Sequence, residues 1–131
     1  MRTCLLLVLL LALAGCGGST PLPTLSGGKP VSYWIEELHN KDAAKRKHAV
    51  AKLGNVGPAD PATLPAIVAE LNDKDASVRR EAIMAVVKFG TKASDAVPIL
   101  TRLRDHDPDN VVRRYSVEAL AKIKEANGAG G

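Results

Sequence analysis

The sequence predicts an all-α fold, an α-α superhelix (solenoid) of three stacked helical hairpins. When the 131-residue sequence is shifted by 33 positions, residues 31–57 align with residues 64–90, and a third copy occupies residues 96–123. The first helix of each repeat spaces apolar residues at i, i+3, i+4 and i+7, and the second helix repeats its stripe at i, i+4 and i+7; either spacing lines one face of a helix. Aromatic residues make up only 3% of the chain, which argues against an aromatic-rich β-sandwich.

Six helices are predicted, at about residues 31–40, 43–54, 63–72, 76–89, 95–104 and 110–125. Asp42, Asp75 and Asp109 precede the second helix of each pair, where a side-chain oxygen accepts hydrogen bonds from free backbone N–H groups. Gly57 and Gly90 follow the apolar faces and are typical of C-terminal caps. The prediction is therefore three antiparallel pairs joined by short turns.

Stacking is needed because one pair of helices cannot cover its own apolar face. Leu38, Leu71 and Leu103 are predicted to be equivalent interior residues of the three hairpins. Polar residues surround the apolar stripe of the last helix, which predicts a solvent-facing cap. At the other end, Tyr33 and Trp34 either close the stack or leave a surface for a partner.

The start of the chain is typical of an export signal over residues 1–15. One basic residue, Arg2, is followed by an unbroken apolar run over residues 4–14 and then by small residues. The run is shorter than the ~18–20 residues that cross a bilayer as a helix. The prediction is a removable signal peptide.

Residues 13–16 (LAGC) resemble the bacterial lipobox. The resemblance implies that Cys16 is lipid-modified, becomes the first residue of the mature protein and anchors it to a membrane of the bacterial cell envelope. Several acyl chains on one cysteine give stable attachment, which a single chain does not. An ordinary exported protein with a free Cys16 is the alternative.

The regions beyond the signal differ in composition. Residues 16–30 comprise Cys16 and a stretch rich in Gly, Ser and Pro, which predicts a flexible tether, and residues 126–131 predict a disordered Gly-rich tail. The domain between them is predicted at residues 31–125, with repeats at about 31–57, 63–90 and 95–124.

Residues 71–82 (LNDKDASVRREA) resemble the core of a HEAT repeat: a leucine of the first helix, an Asp-x-Asp turn, then Val-Arg and a small residue. Residues 107–113 (DPDNVVR) are equally similar, whereas the first copy has Asn40 where the second has Asp73. The resemblance covers about residues 31–124. It implies a scaffold that binds other macromolecules, although function does not follow from fold alone.

One arginine recurs in each repeat, six residues after a turn position. The resemblance favours a structural ladder, in which each arginine bonds a turn carboxylate or carbonyl of its own or a neighbouring repeat, over ligand binding. An arginine fork suits bidentate bonding to carboxylates. The ladder residues are Arg46, Arg79 and Arg113, with Asp73 and Asp107 as carboxylates.

Other basic residues lie on the second helices away from the apolar stripe, which in HEAT solenoids line the concave side. A positive groove there would suit an acidic protein, an anionic glycan or lipid headgroups. A solvated face is the alternative, which Glu81, Glu118 and the small net charge of +4 favour. The candidate partner-binding residues are Lys45, Lys47, His48, Lys52, Arg80, Lys88, Arg114 and Lys122.

No catalytic or metal-binding pattern is found in the sequence. His39, His48 and His106 are scattered without ligand-spaced partners, and no serine lies in a Gly-x-Ser-x-Gly context. The chain is therefore predicted not to be an enzyme and to need no cofactor or metal.

These observations predict a lipid-anchored, exported, non-catalytic scaffold with an unidentified protein partner. The repeats are also similar to the HEAT-like repeats of bilin lyase accessory proteins, so an accessory role in chromophore attachment or enzyme maturation is an alternative. Some HEAT-like proteins act on DNA, but export and the absence of an aromatic pocket argue against nucleic acid as the ligand.

Overall fold

The computed structural model describes residues 24–129, where a short β-hairpin precedes six α-helices. The predicted signal peptide and Cys16 lie outside these residues. Segments of 3₁₀ helix at Gly57–Ala59 and Gly90–Ala96 connect successive pairs. The strands and helices are β1 Leu25–Ser26, β2 Lys29–Pro30, α1 Val31–Glu37, α2 Ala43–Val56, α3 Thr63–Glu70, α4 Ala76–Val87, α5 Val97–His106 and α6 Asn110–Gly128.

The helices stack as three hairpins, α1–α2, α3–α4 and α5–α6. The second helices form a continuous row, because α2 packs on α4 and α4 packs on α6. Helices α1 and α5 pack mainly on the second helix of their own hairpin, whereas α3 packs about equally on α4 and on α2 of the preceding hairpin. The predicted all-α solenoid of three hairpins is confirmed.

One core runs through all three hairpins. Leu71 is fully buried, and Leu38 and Leu103 are each 5% exposed, so the three leucines are interior equivalents as predicted. Every repeat contributes to the same cluster of buried apolar residues. Among residues 24–129, no helix has both the length and the hydropathy needed to cross a bilayer.

Aspartate caps begin all three second helices. The Asp42 carboxylate accepts a hydrogen bond from the Ala44 N–H at 2.8 Å, and Asp75 accepts one from the Ser77 N–H at 2.8 Å. Asp109 accepts from two backbone N–H groups of α6, each at 2.9 Å. These bonds satisfy N–H groups that have no partner inside the helix and fix where each second helix starts.

The prediction of a flexible tether up to residue 30 is wrong for residues 24–30. Gly27 and Gly28 have φ angles of +57° and +74°, which suit the tight turn of a two-residue hairpin. The Trp34 indole N–H donates to the Ser26 carbonyl at 2.8 Å, and the Ser26 hydroxyl donates to the Lys52 carbonyl at 3.0 Å. The hairpin therefore closes the N-terminal end of the stack.

Helix ends also differ from the predicted ones. α1 and α3 end at Glu37 and Glu70, because the residues that follow form tighter i+3 hydrogen bonds instead of continuing the α-helix. α6 continues to Gly128, so the predicted disordered tail is wrong for residues 126–128. The Ala129 N–H still bonds the Glu125 carbonyl at 3.0 Å, so the last turn remains helical.

Candidate functional site

The arginine ladder joins neighbouring hairpins at two steps. Arg46 in α2 donates from Nε and Nη2 to the two carboxylate oxygens of Asp73, at 2.7 and 2.8 Å. Arg79 in α4 binds Asp107 in the same way, with both distances 2.8 Å. The side chains of both pairs are less than 10% exposed. These residues hold the hairpins in register and leave little surface for a ligand.

The third step is incomplete. Arg113 donates from Nη1 to the carbonyls of Asp107 and Pro108, at 2.7 and 3.3 Å, as the other ladder arginines do within their own turns. Its Nε and Nη2 have no carboxylate partner among residues 24–129. The fork of Arg113 is therefore open where the other two are filled.

The first ladder step carries an additional carboxyl group. Burial raises the pKa of Glu70 from 4.5 to about 7, and hydrogen bonding to the Asp73 carboxylate adds to the rise. For Asp73, burial opposes ionisation, but hydrogen bonds from Arg46 and from the Asp75 backbone N–H outweigh it and hold the pKa of Asp73 below its usual range. The proton on Glu70 thus lies at a joint between repeats.

The second helices form a groove around an apolar pair that the sequence analysis did not single out. Met84 on α4 is 44% exposed and lies with Tyr115 of α6 in two adjoining depressions, of about 270 and 170 Å³. Lys122 lines the larger depression, and Lys47 and Arg80 line the smaller. We call these two depressions the second-helix groove.

A signal for Met84 is present in the sequence. Met84 lies on α4 outside the apolar stripe of Ala82, Val86 and Phe89, at a position where the first repeat has Ala51. A single exposed apolar side chain is common on protein surfaces, and it marks a contact surface only where it adjoins another apolar group, as Met84 adjoins Tyr115.

The charge of the groove is mixed. Glu81 lines the smaller depression and Glu118 the larger. They alternate with Lys47, Arg80 and Lys122. The surface therefore suits a partner with both charge signs around an apolar contact better than it suits a uniformly acidic one.

Three predicted contact residues lie toward the N-terminal end. Lys45 and His48 share a separate depression with Trp34, between α1 and α2. Lys52 is partly buried beside the hairpin, with its Nζ 5.9 Å from the centre of the Trp34 ring system. The structure therefore does not bring Lys52 to the second-helix groove.

Two others are engaged within the protein. Lys88 Nζ donates to Asn55 Oδ1 at 3.1 Å and so links α4 to α2. The Arg114 guanidinium lies 5.9 Å from the centre of the Tyr115 ring, on an exposed part of α6. Neither Lys88 nor Arg114 lines the second-helix groove, although Arg114 is next to Tyr115 in sequence.

The described residues include no metal-ligand cluster. Within residues 24–129, no three side chains of His, Cys, Asp or Glu are placed to hold a metal ion. In the same region, every buried side-chain nitrogen or oxygen has a hydrogen-bond partner. The arrangement offers helix surface and a groove for contact.

Stacked helical hairpins joined by an arginine–aspartate ladder define a short α-solenoid. A family model described as HEAT repeats matches residues 31–121, and the chain belongs to the HEAT repeat family. The curated proteins compared with the chain contain no match. HEAT repeats generally serve as scaffolds for protein–protein interaction and are generally not catalytic.

Proposed function

We propose that this protein is an exported scaffold, anchored to a membrane through lipid on Cys16, that binds a partner protein in the second-helix groove. The exposure of Met84 beside Tyr115 carries the proposal, because a long apolar side chain left in water at the centre of a groove is typical of an interaction surface. Family membership supports a protein as the partner.

The groove has the composition of a protein contact. Met and Tyr are favoured at the centres of interfaces, where large side chains adapt to or fill the partner surface. Lys47, Arg80 and Lys122 surround the apolar pair, where charges set orientation and association rate. The groove is built on rigid helices, so binding needs little rearrangement.

Crosslinking at the groove tests this proposal. A photo-crosslinking amino acid replaces Glu118, which lines the larger depression and is exposed, and the protein is produced in its native cell. We expect a protein adduct that Met84→Asp reduces by about tenfold or more, since a charge placed at the apolar centre disrupts the contact. Val117→Asp is the control, because Val117 is exposed and lies next to Glu118 in sequence but lines neither depression. It should leave the adduct unchanged.

An adduct equally abundant with Met84→Asp contradicts the groove as the contact. The identity of the crosslinked protein and peptide is then read by mass spectrometry. A nucleic-acid adduct at Glu118 instead of a protein adduct contradicts the class of partner.

The anchor is tested separately, because the lipobox-like residues 13–16 are its support. Metabolic labelling with palmitate is expected for the natural chain and lost with Cys16→Ser. Cys4→Ser is the matched control, since Cys4 lies in the predicted signal peptide and its loss should leave the label unchanged. Label that persists with Cys16→Ser removes the anchor from the proposal.

A further inference from the structure

On each of the three second helices, two apolar residues at equivalent positions face the side on which the next repeat packs. These residues are Val50 and Leu53 in α2, Ile83 and Val86 in α4, and Val117 and Leu120 in α6. The four residues of α2 and α4 are at most 1% exposed, because the next repeat covers them. In contrast, Val117 is 52% exposed and Leu120 is only partly buried.

Arg113 opens onto the same face of α6 as Val117 and Leu120, because these residues are spaced at i, i+4 and i+7. At the two filled ladder steps, this face meets a carboxylate from the turn of the next hairpin. At the third step, Nε and Nη2 of Arg113 meet no such group within residues 24–129.

The contact between α2 and α4 shows how closely a helix can approach this face of a second helix. Gly54 of α2 lies so near α4 that a Cβ built on it would be 2.9 Å from the Ala85 Cβ. Ala121 holds the equivalent place in α6 and is exposed. We call Arg113, Val117, Leu120 and Ala121 the C-terminal edge.

A second copy of this chain does not match the C-terminal edge. In a head-to-tail stack, Arg113 would meet Asn40, which stands where the later repeats have Asp73 and Asp107. The β-hairpin also packs on α1 and α2 and closes that end of the stack. In a two-fold tail-to-tail contact the same edge faces itself, and none of its four residues carries a carboxylate that could fill the Arg113 fork.

We propose that the C-terminal edge binds a helical segment of a partner protein that presents an aspartate or glutamate carboxylate to the Arg113 fork and apolar side chains to Val117 and Leu120. The joint between α2 and α4 shows the required geometry, with bidentate Arg46–Asp73 bonding beside the close helix approach at Gly54. This surface is separate from the second-helix groove, so the inference does not depend on the function proposed above.

Crosslinking from Ala121 tests the inference in the full chain. The photo-crosslinking amino acid p-benzoylphenylalanine replaces Ala121, and the protein is irradiated in its native cell. We expect a protein adduct whose crosslinked peptide is helical and acidic. Arg113→Glu should reduce this adduct by about tenfold or more, because removing one partner of a desolvated charge pair weakens binding at least that much.

Three further variants keep the result interpretable. Val117→Asp should also remove the adduct, and its exposed position leaves folding intact even if Arg113→Glu lowers the melting temperature. Arg114→Glu, a matched charge reversal on another face of α6, should leave the adduct unchanged, as should Met84→Asp in the groove.

A supporting result also requires a test of the partner protein. Replacing its aspartate by asparagine, or its glutamate by glutamine, must reduce the adduct as Arg113→Glu does. The absence of an adduct from Ala121 overturns the inference, as does an adduct that persists with both Arg113→Glu and Val117→Asp. An adduct to a second copy of this chain or to lipid also overturns it, since neither is the acidic helical partner that we propose.

Discussion

The N-terminal and C-terminal ends of this short solenoid are finished differently. At the N-terminal end, the β-hairpin covers Trp34, which is 8% exposed, and bonds to its indole N–H. At the C-terminal end, Val117 is 52% exposed and Arg113 has an open fork. Ile83 has the same place in its helix as Val117 but is 1% exposed. Burial in a stack is therefore decided by the neighbouring repeat as much as by the residue.

The largest expected effect is on the free energy of unfolding when two ladder arginines, Arg79 and Arg113, are each replaced by alanine. Arg79→Ala leaves the buried Asp107 carboxylate without its partner, which should lower the free energy of unfolding by about 3–5 kcal/mol. Arg113→Ala loses only bonds to carbonyls, and should cost about 1.5 kcal/mol or less. Urea denaturation measures both. Equal losses would mean that a carboxylate fills the third step as well.

The next effect compares equivalent apolar residues. Ile83→Ala should lower the free energy of unfolding by about 2–5 kcal/mol, because it leaves a cavity between α4 and α6. Val117→Ala should change it by less than about 0.5 kcal/mol, because the side chain is already in water. Thermal or urea unfolding of the two variants measures both losses. Similar losses for Ile83→Ala and Val117→Ala would mean that Val117 is covered by a neighbouring element.

A smaller effect tests the closed end. Trp34→Phe keeps an aromatic ring but leaves the Ser26 carbonyl without its donor, so we expect a loss of about 1–3 kcal/mol and faster amide exchange in residues 24–30. Tyr33→Phe is the matched control, since Tyr33 is 38% exposed and should change stability by less than about 0.5 kcal/mol. Unchanged exchange with Trp34→Phe would show that other contacts hold the hairpin.

The smallest expected effect depends on pH and compares Glu70 of the second repeat with Glu37 of the first repeat. The pKa of Glu70 is raised from 4.5 to about 7, so between these pH values the folded protein keeps a proton that the unfolded chain has released. The stability from this group is full below pH 4.5 and is lost as the pH rises to about 7. Glu70→Gln should therefore raise the melting temperature at pH 8 and change it less near pH 5.

The control for this prediction is Glu37→Gln. Glu37 is the equivalent residue of the first repeat, where Asn40 replaces the neighbouring carboxylate. Glu37→Gln makes the same chemical change where no aspartate carboxylate is adjacent, so it is measured beside Glu70→Gln at both pH values. A Glu70→Gln effect that is the same at both pH values would show that the Glu70 proton is not held at the joint.

Repetition made the stack predictable from the sequence. The spacing of Leu38, Leu71 and Leu103 and of the capping aspartates depends on local periodicity, which a sequence displays directly. The resemblance to the HEAT repeat marked Arg46 and Asp73 as ladder residues but left open whether an arginine bonds its own repeat or a neighbouring one. The structure pairs Arg46 with Asp73 of the next hairpin. Each of these features occurs two or three times, and each copy supports the others.

The parts that were missed occur once. The β-hairpin has strands of two residues, too short for any periodicity, and its Gly-Gly turn has the composition of a linker. The open edge was missed because the apolar stripe of α6 shows what the helix can bury and not whether a neighbour is there to bury it. Met84 was missed because the candidate contact surface was defined by basic residues, whereas Met84 is an uncharged residue off the apolar stripe.

The β-hairpin also limits how far the solenoid lies from a membrane. Cys16 and Thr24 are eight residues apart, and at about 3.3–3.6 Å per residue they span at most about 29 Å in any conformation. Under the proposed lipidation, the closed end is held near the headgroups. Diffusion is then confined to two dimensions, where a co-anchored partner reaches a high effective concentration and a weak contact is enough.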